Sequence, residues 1–221
     1  MIALLFLFCT AEAQETYKWE WGGALGGSFY MGDANATTPY RHTGLAGGVI
    51  ARYLINPHTA LKGNLVAGRI AGDTGDFKNA YPNGEYASFK RTIFDLGVQF
   101  EYNFFAYGAE HTYRNEARLT PYITGGIGAT LAPRPAKTDL TMNIPIGIGV
   151  KYKVAPRINI GCEFTMRFSL SDRLDVVRTD GLQLENPYLI KGKGLKNKDS
   201  YSFTLFFLTY DLFPVCKECN N

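Results

Sequence analysis

The chain has 221 residues, a formal net charge of +3 and 46% hydrophobic residues. This length suits a single β-rich domain, because all-β barrels commonly reach this size without dividing. The small net charge provides no basic field of the kind that marks a nucleic-acid-binding protein, so we expect no nucleic-acid partner. No run of about 18 apolar residues occurs, which excludes a membrane-spanning helix.

The first residues have the pattern of an export signal. Residues 1–9, MIALLFLFC, form a short apolar core, and residues 10–14, TAEAQ, place small residues at Ala11 and Ala13. Signal peptidase recognises this small-x-small spacing. We therefore predict a signal peptide over residues 1–13 that is removed on export. The alternative is a buried first strand.

Alternating apolar and polar side chains run through the exported part of the chain. The clearest stretch is residues 94–104, FDLGVQFEYNF, in which every even position is apolar or aromatic and every odd position from 95 to 103 is polar or glycine. In a strand successive side chains point to opposite faces, so such a segment has one apolar and one polar face. The pattern predicts eight strands, at residues 19–30, 45–55, 61–70, 94–104, 121–131, 144–154, 158–170 and 201–213.

The connections between these strands alternate in length. Those at residues 56–58 and 155–157 are tight turns, whereas longer polar loops occupy residues 32–43, 72–88, 132–140 and 171–198. Short turns on one side and long loops on the other are typical of outer-membrane barrels, in which the short turns are periplasmic. The connection at residues 105–118 departs from this rule. We predict a barrel over residues 14–213 with both chain termini in the periplasm.

The polar faces raise the question of which side faces outward. A soluble barrel would leave the charged faces in water, whereas a membrane barrel turns the apolar faces to lipid and must close, because lipid cannot satisfy free backbone groups. The bulky apolar faces favour an all-β, eight-stranded, antiparallel, transmembrane outer-membrane β-barrel over a lipocalin-like soluble one. A barrel of about eight strands has room inside only for side chains. We therefore predict a paired interior charge plug formed by Asp95, Glu101, Lys151, Glu163 and Arg167.

Enzymatic interpretations have less support in the sequence. The glycine-rich segment at residues 124–129, TGGIGA, resembles a nucleotide-binding loop, but the prolines at 133 and 135 leave no helix to follow it. The three histidines fall in turns or loops without metal-site spacing, and rim residues such as Ser169 and Asp172 fit ordinary loop polarity. Four lysines between residues 191 and 198 could contact lipopolysaccharide phosphates, although a solvated loop explains them as well. We expect no cofactor, no metal, no small-molecule substrate and no catalytic residue.

Several segments also resemble a known family. They are GGALGGSFYMGDAN at residues 22–35, TGLAGGVIARY at 43–53, ALKGNLVAGRIAGDT at 60–74, FDLGVQFEYNFFAYG at 94–108, LTPYITGGIG at 119–128, EFTMRFSLSDRLD at 163–175 and GLKNKDSYSFTLFFLTYDLFPVCKEC at 194–219. Together they resemble the PorG-type outer-membrane protein of the type IX secretion system of Bacteroidetes. The resemblance implies a non-enzymatic outer-membrane component that contacts the periplasmic ring built from the PorK lipoprotein and PorN. The alternative is a barrel that acts alone, as a lipid-modifying enzyme or an adhesin.

The C-terminal residues 214–221, PVCKECNN, are predicted to form a periplasmic tail. In an oxidising compartment the pair Cys216 and Cys219 closes on itself, binds metal or bonds to a partner. Zinc would require two further ligands, which the tail lacks, and Cys162 is predicted to face lipid in mid-strand. We expect the tail to contact the periplasmic ring, with at least one of the two cysteines able to form a disulfide to a ring subunit. A closed loop between Cys216 and Cys219 is the alternative.

Overall fold

A computed structural model describes residues 15–31, 40, 42–73, 88–107, 117–133, 139–170 and 200–216. Eight strands account for most of them, and they are β1 (Glu15–Met31), β2 (Gly44–Asn56), β3 (Thr59–Asp73), β4 (Ser88–Asn103), β5 (Leu119–Ala132), β6 (Asp139–Ala155), β7 (Ile158–Ser169) and β8 (Ser200–Cys216). The predicted signal peptide at residues 1–13 lies outside the described residues. No helix within the described ranges is long and apolar enough to cross a membrane.

The strands form one closed barrel in chain order. Each strand pairs antiparallel with its neighbour, and the β1–β8 ladder, which runs from Glu15↔Cys216 to Met31↔Ser200, closes the sheet. Closure leaves no continuous free sheet edge, which is the condition for a sheet to cross lipid. The prediction of eight antiparallel strands in a closed barrel is confirmed.

The two faces of the barrel differ sharply in polarity. Outward positions on β4 are apolar and exposed, as at Leu96, Val98 and Phe100, while the inward positions Asp95 and Glu101 are buried. The same division recurs on the other strands, and most of the buried charged and amide side chains lie in the lumen. A water-soluble fold buries its apolar side chains, so this inverted distribution identifies a transmembrane barrel, as predicted.

The connections divide between the two ends of the barrel. One end, here called the short-turn end, carries the turns at residues 57–58 and 156–157 and the β4–β5 connection at residues 104–118. The start of β1 and the end of β8 lie at the same end. The opposite, long-loop end carries the connections at residues 32–43, 74–87, 133–138 and 170–199. The predicted alternation of connection lengths is therefore present, including its exception at the β4–β5 connection.

Outward aromatic side chains gather toward the short-turn end. Trp19 lies 5.0 Å from Tyr53 and 6.4 Å from Trp21 between ring centroids, and Tyr102 lies 5.9 Å from Phe104. Rings of this kind occupy the interface between hydrocarbon and water in outer-membrane barrels. Their position marks the level at which the membrane ends on this side.

Several strands are longer than predicted. β4 begins at Ser88 and β6 at Asp139. At the long-loop end, backbone pairing continues past the last apolar residues of the alternating pattern. β8 continues to Cys216, three residues beyond the predicted strand end at Phe213. Phe213 has a φ of 57°, which interrupts the regular strand conformation, and pairing then resumes at Tyr17↔Pro214. The tail outside the strand therefore begins after Cys216.

Candidate functional site: the filled lumen

Glu101 is the centre of a buried charge cluster in the lumen. Its carboxylate accepts from Arg52 Nε at 3.0 Å and Lys151 Nζ at 2.7 Å, and lies 3.5 Å from Lys62 Nζ. These partners come from β2, β6 and β3, so one carboxylate on β4 connects four strands. All four side chains are almost completely buried. Such a cluster is stable only if its charges balance, because uncompensated burial is costly.

Glu163 on β7 forms the second contact point of the same cluster. It accepts from Lys62 Nζ at 2.5 Å and from the Tyr122 hydroxyl at 2.6 Å. Tyr122 lies on β5 and must cross β6 to reach β7. Gly149 permits this crossing, because a Cβ at that position would lie 2.5 Å from the tyrosine ring. A glycine in a strand interior often marks such a close approach.

Arg52 and Glu20 complete the central cluster. Arg52 Nη1 lies 3.3 Å from Glu20 Oε2, and its guanidinium carbon lies 4.3 Å from the centroid of the Phe207 ring. The cluster therefore contains three carboxylates and three cations, which are Glu20, Glu101, Glu163, Arg52, Lys62 and Lys151. Its formal charge is zero.

Asp95 organises a second cluster nearer the long-loop end. It accepts from Arg167 Nε at 2.9 Å, Tyr201 Oη at 2.6 Å and Asn143 Nδ2 at 2.8 Å. Arg167 also lies 4.5 Å from the Phe203 ring centroid. The partners belong to β7, β8 and β6, so this carboxylate, like Glu101, connects four strands.

A third group lies at the short-turn end. Lys153 Nζ donates to Asp211 at 2.7 Å, and Asn159 Nδ2 donates to the same carboxylate at 2.6 Å. The Tyr107 hydroxyl, from the β4–β5 connection, donates to Asn159 Oδ1 at 2.8 Å. Burial raises the pKa of Tyr107 far above its ordinary value, so its phenol stays protonated and donates.

The five residues of the predicted charge plug all face the lumen and all have oppositely charged partners. They fall into two groups, with Asp95 and Arg167 in one and Glu101, Lys151 and Glu163 in the other. Glu20, Arg52 and Lys62 were not predicted as plug residues, although the alternation that places Glu101 inward also applies to them. The tyrosines 107, 122 and 201 were not predicted as plug residues either, although the alternation around Ile123 also places Tyr122 on the inward face.

Only one of the two predicted tail cysteines lies within the described residues. Cys216 ends β8, where its backbone pairs with Glu15, and Cys219 lies outside the described residues. Cys162 occupies an outward position on β7 and is half-buried, as expected for a small apolar residue on that face. Among the rim residues weighed above, Ser169 is buried, with its hydroxyl 3.5 Å from that of Thr141, and Asp172 lies outside the described residues.

The arrangement can hold a barrel shut and keep it rigid. Within the described parts of the chain, no group of three or more metal-ligating side chains is present. The lumenal carboxylates, which would otherwise be candidate acids or bases, are occupied by cations, tyrosines and amides. The geometry provides ion pairs and hydrogen bonds that join strands across the lumen.

Solved structures similar to this chain include three bacterial proteins. Neisserial surface protein A (NspA) is 11% identical, with 89% of this chain and 97% of that chain covered and a TM-score of 0.46. The N-terminal β-barrel domain of Pseudomonas aeruginosa OprF is 11% identical, with 90% and 100% covered and a TM-score of 0.46. Ail, the attachment invasion locus protein of Yersinia pestis, in complex with a heparin analogue, is 10% identical, with 90% and 99% covered and a TM-score of 0.45.

No curated protein matches the chain. A family profile, in contrast, matches nearly its whole length, from residue 1 to residue 220. The chain belongs to the family described as a domain of unknown function, DUF6089.

Proposed function

We propose that this protein is a non-enzymatic, non-conducting outer-membrane component of the type IX protein secretion system. In this role the barrel anchors or contacts the periplasmic ring of PorK and PorN. The secretion assignment is supported by the sequence resemblance described above, which extends into the loops and the C-terminal segment that barrel physics does not dictate. The short-turn end, with the ends of β1 and β8, then faces the periplasm.

The observation that carries the structural part of this proposal is the balanced charge cluster around Glu101. A transport pore needs a hydrated passage, whereas here three buried cations and three buried carboxylates pair across the lumen. A lumen filled by paired charges is more consistent with a membrane anchor of fixed shape than with a channel.

The first prediction from this proposal is that the purified barrel does not conduct ions. We expect planar-bilayer recordings to show no stable single-channel currents, because water and ions would have to displace paired charges from the lumen. A water-filled porin inserted in the same bilayer serves as the positive control. Large, stable unitary currents from this protein would contradict the closed-lumen interpretation.

The second prediction concerns the partner. After extraction in mild detergent, we expect PorK and PorN to copurify with the barrel, and non-reducing gels to show a high-mass species that disappears on reduction. Cys216→Ser or Cys219→Ser should abolish that species if the substituted cysteine forms the disulfide. Cys162→Ser is the matched control, because Cys162 faces outward from β7 and should leave the species unchanged.

The outcomes of this experiment separate the two candidate roles. Copurification without a reducible species would retain the ring contact and assign the cysteines to a closed Cys216–Cys219 loop. A barrel that is isolated without ring proteins, under conditions in which the ring itself survives, would contradict the secretion assignment. The chain would then act alone, as an adhesin or a lipid-modifying enzyme.

A further inference from the structure

The β4–β5 connection is long at an end of the barrel where the other two turns are tight. It covers residues 104–118, compared with residues 57–58 and 156–157 at the other two turns. A hairpin between antiparallel strands needs only about two to five residues, so the extra chain is not required to reverse direction. Its fourth residue, Tyr107, turns into the lumen, whereas Phe104 and Phe105 remain exposed. Tyr107 lies outside every strand but is only 1% exposed.

The contacts of Tyr107 extend across the lumen. Its backbone N–H donates to the Pro57 carbonyl at 3.0 Å, while its hydroxyl donates to Asn159 Oδ1 on β7 at 2.8 Å. The Nζ atoms of Lys151 and Lys153 lie 5.5 Å and 5.8 Å from the centroid of its ring. Tyr107 therefore contacts the β2–β3 turn through its backbone and β6 and β7 through its side chain.

The chain that leads to Tyr107 is held in place by side-chain hydrogen bonds. Thr120 Oγ1 accepts from the Phe105 N–H at 3.1 Å and lies 3.2 Å from the Phe105 carbonyl, to which it can donate. Asn103 Nδ2 donates to the Pro57 carbonyl at 3.2 Å. Phe105 itself remains 52% exposed. The backbone is therefore fixed so that Tyr107 enters the lumen while Phe105, two residues earlier, stays outside it.

We propose that Tyr107 is a stopper that closes the short-turn end of the barrel and keeps water from the central charge cluster. Its backbone is bonded to Pro57 in a turn at this end, and its ring lies 5.5 Å from Nζ of Lys151, the cation that pairs with Glu101. Excluding water strengthens the ion pairs behind the stopper, because charges interact more strongly where the local dielectric is low. The proposal concerns the barrel itself and does not depend on a secretion partner.

A lumenal cysteine at Thr209 provides the test, because the Thr209 hydroxyl contacts the central charge cluster, 3.3 Å from Glu20 Oε2. Thr209 is 1% exposed, faces the lumen and lies opposite Asn159 in the β7–β8 ladder. Thr209→Cys is introduced together with Cys162→Ser, Cys216→Ser and Cys219→Ser. Cys9 is also replaced by serine, so that the introduced thiol is the only one in the chain. Its reaction with a small, charged methanethiosulfonate reagent is then measured in phospholipid vesicles.

We expect the introduced thiol to be modified slowly when Tyr107 is present. In Tyr107→Ala the modification rate should rise roughly tenfold or more, because the reagent can then reach the thiol without local opening of the barrel. Tyr107→Phe keeps the ring but loses the hydrogen bond to Asn159, so its rate should fall between the two. Phe105→Ala, the exposed neighbour, is the matched control and should leave the rate unchanged. An unchanged rate in folded Tyr107→Ala would overturn the proposal.

A second measurement needs no substitution at the stopper. In the wild-type protein, the Tyr107 amide should exchange its hydrogen as slowly as strand amides, because it is bonded to the Pro57 carbonyl. Exchange at the rate of a free, solvated amide would overturn the proposal even if Tyr107→Ala fails to fold.

Discussion

Replacing Glu101 by glutamine should lower the free energy of unfolding by about 3–5 kcal/mol, the usual cost of removing one partner from a buried ion pair. Glutamine keeps the shape of the side chain and removes its charge, which leaves the central cluster with a net positive charge. In this variant Lys62 still has Glu163 as an ion-pair partner, and Arg52 still has Glu20. Lys151, in contrast, loses its ion pair with Glu101. The effect can be measured by reversible urea unfolding in phospholipid vesicles, followed by the fluorescence of Trp19 and Trp21.

The double variant Glu101→Gln, Lys151→Met is the control for this effect. It removes one charge of each sign, so the cluster returns to neutrality, and methionine retains much of the apolar stem of lysine. We expect the double variant to be more stable than Glu101→Gln alone, with a coupling energy that a double-mutant cycle measures directly. A loss of less than about 1 kcal/mol in Glu101→Gln would mean that water reaches the cluster and solvates the remaining cations.

Replacing Leu96 by arginine should destabilise the membrane-inserted barrel by about 2–4 kcal/mol, as is typical for arginine at the bilayer midplane on a lipid-facing strand. Leu96 lies midway along β4, is 60% exposed, and has Leu65 and Ala129 as its partners in the two adjoining ladders. A charge there would lie in hydrocarbon. Unfolding in vesicles, as above, measures the cost.

Thr92→Arg is the matched control, because Thr92 faces outward on the same strand but lies nearer the long-loop end. Near the interface the cost should fall to about 0–1 kcal/mol. Leu96→Ala tests the loss of side-chain volume without a charge. Equal tolerance of arginine at positions 92 and 96 would mean that the outer surface is hydrated, and would contradict a transmembrane barrel.

The strand bounds show where sequence patterns stop being informative. Residues 94–104 were predicted as a strand from their alternation, but β4 begins at Ser88. The additional residues include Lys90 and Thr92, which face outward beyond the apolar surface. Backbone pairing continues there without an apolar face, because hydrogen bonds between strands do not depend on what the side chains contact. The alternation therefore reports the membrane-embedded part of a strand and underestimates its full length.

The candidate site was predictable in its residue types but incompletely in its membership. Because alternate residues share a face, the sequence predicted that Asp95, Glu101 and Glu163 point inward. It did not predict the contact made by Tyr122, whose hydroxyl reaches Glu163 by crossing over Gly149. That contact depends on a missing side chain on a neighbouring strand, which a single segment of sequence does not reveal.

The sequence by itself determined the number of strands, which face of each strand points outward, and the polarity of the interior. The physical reason is local, since a period of two residues assigns each side chain to one side of an extended chain. Only the tertiary structure decided which charges meet. Glu101 pairs with Arg52, 49 residues before it, and with Lys151, 50 residues after it. Such contacts across the lumen depend on strand register and barrel closure, and so does the entry of Tyr107 from the β4–β5 connection.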